Sequence, residues 1–221
     1  MTLSFPEKKG VVPALPLPNV ILYPKALLPL HIFEPRYVEL IQDTLEGNKQ
    51  MVLALLKPGW EKDYFGRPEV FPIAGVGEIV HWDKLPNGKY NILVRGLSRV
   101  RIVEEFGGGP YRIAQVELLD ERADEIHDSS TIAAQKIRLL TGLRRLSEEP
   151  VNVPQGVEIG HLADIVTIAL PIEIYRKQTL FEVVDVRDRV ERVIQAIDEV
   201  LSRREQLRGA EKFLPSDVSF N

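Results

Sequence analysis

The sequence predicts an α+β protein with a β-rich first half holding a single helix and an all-helical second half. Three observations support this. Proline and glycine break the first half into short apolar runs, and an Asn-Gly pair stands between two of these runs. After about residue 128 the apolar residues recur at helical spacing. With 221 residues, of which 44% are hydrophobic and 27% charged, the chain can bury a sizeable core. The change of pattern divides it into residues 1–122 and 123–221, with the polar stretch Asp120 to His127 as a hinge.

In the first half, Val11 to Leu17 and Val20 to Tyr23 are apolar pieces that Pro13, Pro16 and Pro18 confine to edge strands or extended chain. A helix follows from Pro35 to Glu46. Pro35 suits its first turn, Tyr37, Leu40, Ile41 and Leu45 form its apolar stripe, and Gly47 is placed to cap it. Met51 to Leu56 reads as a buried strand, and Pro58 to Pro72 as a long loop carrying Trp60, Tyr64, Phe65 and Phe71. Strands Val76 to Trp82 and Tyr90 to Val94 flank Asn87-Gly88, which predicts a type I′ hairpin turn. Gly75 and Gly77 suggest a bulge or close packing. Arg99 to Phe106 alternates Val100 and Ile102 against Arg99 and Arg101, a half-buried pattern, and Gly107 to Pro110 turns the chain into a last strand, Tyr111 to Leu119. Six or so strands with one helix imply a small mixed barrel or a pair of curved sheets.

In the second half, Ser130 is placed to cap a helix whose face is Ile132, Ala133, Ile137, Leu140 and Leu143. Leu146 to Val157 is a loop with two prolines. Glu158 to Leu170 and Ile172 to Val183 form two further helices. Asp185 caps a long last one along Val186, Val190, Val193, Ile194, Ile197 and Leu201. The tail from about Leu207 is mixed in character.

Much chemistry is excluded. There is no cysteine, so disulfides, thiolate metal sites and cysteine nucleophiles are ruled out, and a cytoplasmic location fits. The net charge of −4 argues against phosphate neutralisation, and the cluster Arg138, Arg144, Arg145 is followed at once by Glu148 and Glu149, as on a solvated helix face. Neither a signal peptide nor a membrane span is expected. No P-loop, dinucleotide fingerprint, H-E-x-x-H or G-x-S-x-G occurs. Glu158-x-x-His161 matches half of a di-iron pattern but lacks a second copy, so chance explains it better. His31 and His81 read as packed or surface histidines, and Ser98 has no mark of a nucleophile. No catalytic residue, cofactor or metal is expected.

Several strings resemble a known family. Leu15-Pro-Leu-Pro-Asn-Val-Ile-Leu-Tyr-Pro24 and Leu28-Pro-Leu-His-Ile-Phe-Glu-Pro-Arg-Tyr37 are similar to the start of the LON N-terminal (substrate-binding) domain, the module preceding the ATPase of Lon protease. The likeness continues through Lys84 to Gly88, Ile92 to Ile102, Leu162 to Asp164, Lys177 to Glu182 and Asp185 to Val190. The His31 to Tyr37 string is more like the free-standing bacterial branch, and Ala74 stands where the family suggests glycine. The resemblance implies a PUA-like β-barrel followed by a helical bundle. It also implies a non-catalytic role in recognising exposed apolar segments of proteins or peptides. The Walker A loop and Ser–Lys protease of full-length Lon have no counterpart in this sequence.

Within that frame the candidate peptide-binding residues are Trp60, Tyr64 and Phe65 of the long loop, although the same residues could cover the barrel end. Glu34 and Arg36 could pair to fix the start of the first helix. Two alternatives stand beside this reading. One is RNA binding by a PUA-like barrel, which the acidic balance opposes. The other is a small-molecule or enzymatic role in a cleft between barrel and bundle.

Overall fold

Two prolines in one strand pose the first structural question. In the computed structural model, which describes residues 8–122, 129–146, 153 and 155–211, β1 (Lys9–Leu17) has neighbours on both sides. This corrects the expectation of an edge strand. Pro13 is opposite Ile113 of β6 (Arg112–Leu118), where β1 has no other partner. Pro16 is opposite Ala54 of β3 (Gln50–Leu55), beyond the end of the β6 ladder. The antiparallel ladder ends at Ala14 and the parallel one begins there, so each proline needs hydrogen bonds on one side only.

The sheet order is β2-β5-β4-β3-β1-β6, and β5 also pairs with β6. The pairings of β5, β4, β3, β1 and β6 therefore form a closed ring, with β2 (Leu27–Ile32) attached to β5. β2 was not legible as a strand. It stands at the end of the order and carries Pro29, which an edge strand tolerates. The Val20 to Tyr23 piece forms no strand.

The two strands expected at Tyr90 to Val94 and Arg99 to Phe106 are one, β5 (Tyr90–Phe106). Its first part pairs with β2, its last part with β6, and β4 (Ile73–Lys84) runs beside most of it. Gly96 lies inside this strand, at a point where only glycine fits, since a Cβ there would meet the Tyr23 carbonyl oxygen at 2.0 Å. The register shifts between Val76 and Gly77, where the glycines suggested a bulge, and a Cβ on Gly75 would meet the Leu22 oxygen at 2.1 Å. The hairpin turn is not type I′, because Asn87 does not take positive φ. Gly88 N–H donates to Leu85 O (2.9 Å), which puts Pro86 and Asn87 at the centre of the turn, and only Gly88 is left-handed at φ 81°.

Two apolar clusters fill this unit, which spans Met1–Glu121. One joins Tyr37, Leu40 and Ile41 of α1 (Pro35–Glu46) to Leu15, Met51, Leu53, Ile79 and Ile92. The other takes small residues from all five ring strands, among them Val12, Ala14, Val52, Ala54, Ala74, Val100 and Ala114. β3 is buried throughout because its alternate residues feed different clusters. Arg99 departs from the expected half-buried alternation. It is buried, and its guanidinium donates to Glu121 at 2.6 Å.

The second unit, Arg122–Asn221, holds α2 (Ser129–Leu146), α3 (Ile159–Ala169), α4 (Ile174–Phe181) and α5 (Val186–Glu211) around one apolar cluster. α2 differs from expectation at its start and along its face. Ser130 lies within the helix, and Ala133 and Ile137 are exposed while Leu139, Leu143 and Leu146 are buried. Asp185 caps α5 as expected, accepting the Asp188 N–H at 2.8 Å. Two of the family-like strings of this half meet in a buried ion pair, with Arg189 Nε 3.4 Å from Asp164 Oδ1, and the Arg189 guanidinium also donates to Val183 O at 2.8 Å. The expected hinge and the 146–157 loop lie largely outside the described residues.

Candidate functional site

The loop between β3 and β4 has a closed neck. Lys57 N–H donates to Glu69 O (2.8 Å), Phe71 N–H donates to Leu55 O (2.9 Å), and the Lys57 ammonium reaches Glu69 at 2.8 Å. Gly59, left-handed at φ 89°, starts a single 3₁₀ turn over Trp60–Asp63.

Beyond that turn the aromatic residues pack edge-on, with ring centroids 5.5 Å apart for Trp60–Tyr64 and 5.3 Å for Tyr64–Phe65. The structure thus brings the three candidates together but gives them different surroundings. Trp60 and Tyr64 are half-buried, and Phe65 is 88% exposed.

Arginines hold this loop in place. Glu34 precedes α1 but makes no side-chain cap; instead it pairs with Arg36 at 3.0 Å and accepts the Tyr64 hydroxyl proton in a hydrogen bond. Arg36 also donates to Tyr64 O (3.2 and 3.3 Å) and lies over the rings of Tyr37 (4.6 Å) and Tyr64 (5.0 Å). Burial and the neighbouring Glu34 carboxylate raise the Tyr64 pKa. Farther along, Arg112, buried and paired with Glu105 at 3.1 Å, donates to Pro68 O at 2.7 Å. Arg67, on the loop, donates to Phe106 O at 3.3 Å.

Beside the loop is a concavity of about 200 Å³, lined by Arg36, Tyr37, Phe65, Arg67, Tyr111 and Arg112 together with Pro16, Pro110 and two glycines. Sequence reasoning missed Arg67, Tyr111 and Arg112 as site residues, and it read Tyr37 only as part of a core stripe. The available signal was the adjacent Arg36-Tyr37 and Tyr111-Arg112 pairs, which carry no meaning until the fold juxtaposes them. His31 bonds Asn91 (2.7 Å) and stacks on Phe33, and His81 is 3.4 Å from Asp83. Among the described residues no three His, Asp or Glu side chains are grouped to hold a metal ion, and no helix is long and apolar enough to cross a membrane.

Comparison with known proteins agrees with this architecture. The N-terminal domain of Mycobacterium avium complex Lon protease superposes with a TM-score of 0.68 at 21% identity, covering 86% of this chain and 98% of that one. The Lon N-terminal domain protein from Xanthomonas campestris gives 0.56 at 20% identity, covering 84% and 98%. Lon protease of Dictyoglomus thermophilum is 28% identical over 197 residues, covering 87% of this chain and 24% of that protein. Lon protease 1 of Bacillus subtilis is 29% identical over 199 residues, covering 87% and 25%. The chain thus spans about a quarter of the length of these curated relatives. The family model of the ATP-dependent protease La (LON) substrate-binding domain matches residues 11–199, and the chain belongs to that family.

Proposed function

We propose that this chain binds protein substrates by gripping exposed apolar segments at the Phe65 tip of the loop between β3 and β4. In this reading residues 1–122 and 123–221 are the two halves of one LON-type module, the closed strand ring is its PUA-like barrel, and the four later helices are its bundle. The family supports recognition of protein substrates in general. The finer assignment is carried by one observation: Phe65 is 88% exposed on a loop that Arg36, Arg112 and Glu34 hold in place. An aromatic ring on a rigid mount loses little conformational entropy on binding, which suits it to anchor a partner. Trp60 and Tyr64 act mainly to hold that ring.

The test is fluorescence anisotropy of a labelled peptide carrying three consecutive apolar residues. Phe65→Ala should weaken binding about tenfold or more, as loss of a binding hot spot does, while far-UV circular dichroism is unchanged. Equal affinity in wild type and folded Phe65→Ala would exclude this tip as the site.

A further inference from the structure

The concavity beside Phe65 has a defined charge balance. Three arginines line it and no carboxylate does. Arg36 is matched by Glu34 and Arg112 by Glu105. Arg67 has no carboxylate within ion-pair distance of its guanidinium among the described residues; Asp63 reaches only its backbone N–H (3.2 Å). The wall therefore offers one uncompensated positive charge. That suits a carboxylate, whereas a phosphate would call for a second cation.

A second observation points to the same place. Tyr37 is only 6% exposed and lines the concavity, yet its hydroxyl has no hydrogen-bond partner among the described residues. Burial pushes its pKa up to about 12, so at neutral pH the hydroxyl keeps its proton and can donate it in a hydrogen bond. Tyr111 differs, because its hydroxyl already donates to Asp43.

The volume selects the kind of carboxylate. About 200 Å³ is smaller than the ~300 Å³ at which small-molecule pockets begin, and suits a single residue. An internal Asp or Glu would place its carboxylate where an apolar side chain should go. A chain terminus carries both on one residue.

We propose that this concavity receives the C-terminal carboxylate of a peptide whose last side chain is apolar. Arg67 and the Tyr37 hydroxyl bind the carboxylate, and the side chain lies against Phe65 and Pro110. The proposal rests on the peptide-binding reading above and names its preferred ligand.

Three labelled peptides test it on the full chain: one ending in Leu-Leu-Phe as the free acid, the same peptide as the C-terminal amide, and that amide with an internal Asp. The acid should bind about tenfold more tightly than the amide, the effect of a charge-assisted hydrogen bond. Arg67→Gln should bring the acid-to-amide ratio close to one; both peptides are measured on the same variant, so any loosening of the loop from the lost Phe106 contact affects both and leaves the ratio to report the charge. Tyr37→Phe should reduce the ratio with the ring retained. Arg67 is exposed and its guanidinium donates to the Phe106 carbonyl, so far-UV circular dichroism of the variant should match wild type before the ratio is read. Equal, Phe65-dependent binding of acid and amide would overturn this proposal and leave the apolar-segment reading standing. An internal-Asp amide that matches the acid would overturn the terminal assignment. If none of the three binds, the apolar-segment reading fails and this proposal falls with it.

Discussion

Replacing Asp164 by Ala removes the carboxylate that lies 3.4 Å from the buried Arg189 guanidinium in the helical core. The two side chains are 3% and 1% exposed, and Arg189 retains its bond to Val183 O at 2.8 Å. Removing one partner of a buried pair costs about 3–5 kcal/mol, because the remaining charge stays desolvated. The retained carbonyl contact sets the expectation near the lower end, about 3 kcal/mol. For a unit of this size that corresponds to a fall in melting temperature of roughly 12 °C or more. Far-UV circular dichroism is the appropriate probe, since four of the five α-helices among the described residues belong to the second unit. Both tryptophans, Trp60 and Trp82, lie in the first unit, so their fluorescence follows the sheet separately. The double variant Asp164→Leu/Arg189→Met should be more stable than Asp164→Ala, because an apolar pair leaves no buried charge. A loss below about 1 kcal/mol for Asp164→Ala, or a double variant less stable than the single one, would refute the argument.

Three further outcomes are expected. Gly96→Ala should destabilise by about 2–3 kcal/mol in urea denaturation, since its Cβ would meet backbone at 2.0 Å, while Gly88→Ala, strained only by positive φ, should cost about 1 kcal/mol. Asp185→Ala should cost about 1 kcal/mol by removing the cap of α5, read from the same denaturation curves. Tyr37 has its pKa raised from 10.0 to about 12, so its contribution to stability is complete below pH 10 and is lost as pH rises to about 12. Denaturation midpoints measured across that range should fall less steeply in Tyr37→Phe than in wild type.

The candidate site was legible in part. Trp60, Tyr64 and Phe65 stand out as aromatic residues in a long Pro- and Gly-bounded loop, and Glu34 and Arg36 as a pair at the start of a helix. That these two features meet, with Tyr64 donating to Glu34 and Arg36 to Tyr64 O, depends on contacts some thirty residues apart in sequence. No local pattern encodes such a contact. Arg67, Tyr111 and Arg112 were invisible for the same reason.

Local patterns by themselves determined α1, from Pro35 at its start to its Tyr37-Leu40-Ile41 stripe, and the cap of α5 at Asp185. They also determined the division into a strand-rich and a helical half, because hydrophobic period and proline position are properties of neighbouring residues. Tertiary structure decided what depends on a partner strand or helix. Pro13 and Pro16 fit inside a sheet because the two ladders of β1 meet at Ala14. Gly96 continues β5 because the Tyr23 backbone crosses beside it. Arg99 and Arg189 are buried because Glu121 and Asp164 are folded against them, compensating charges that the sequence alone would place in water.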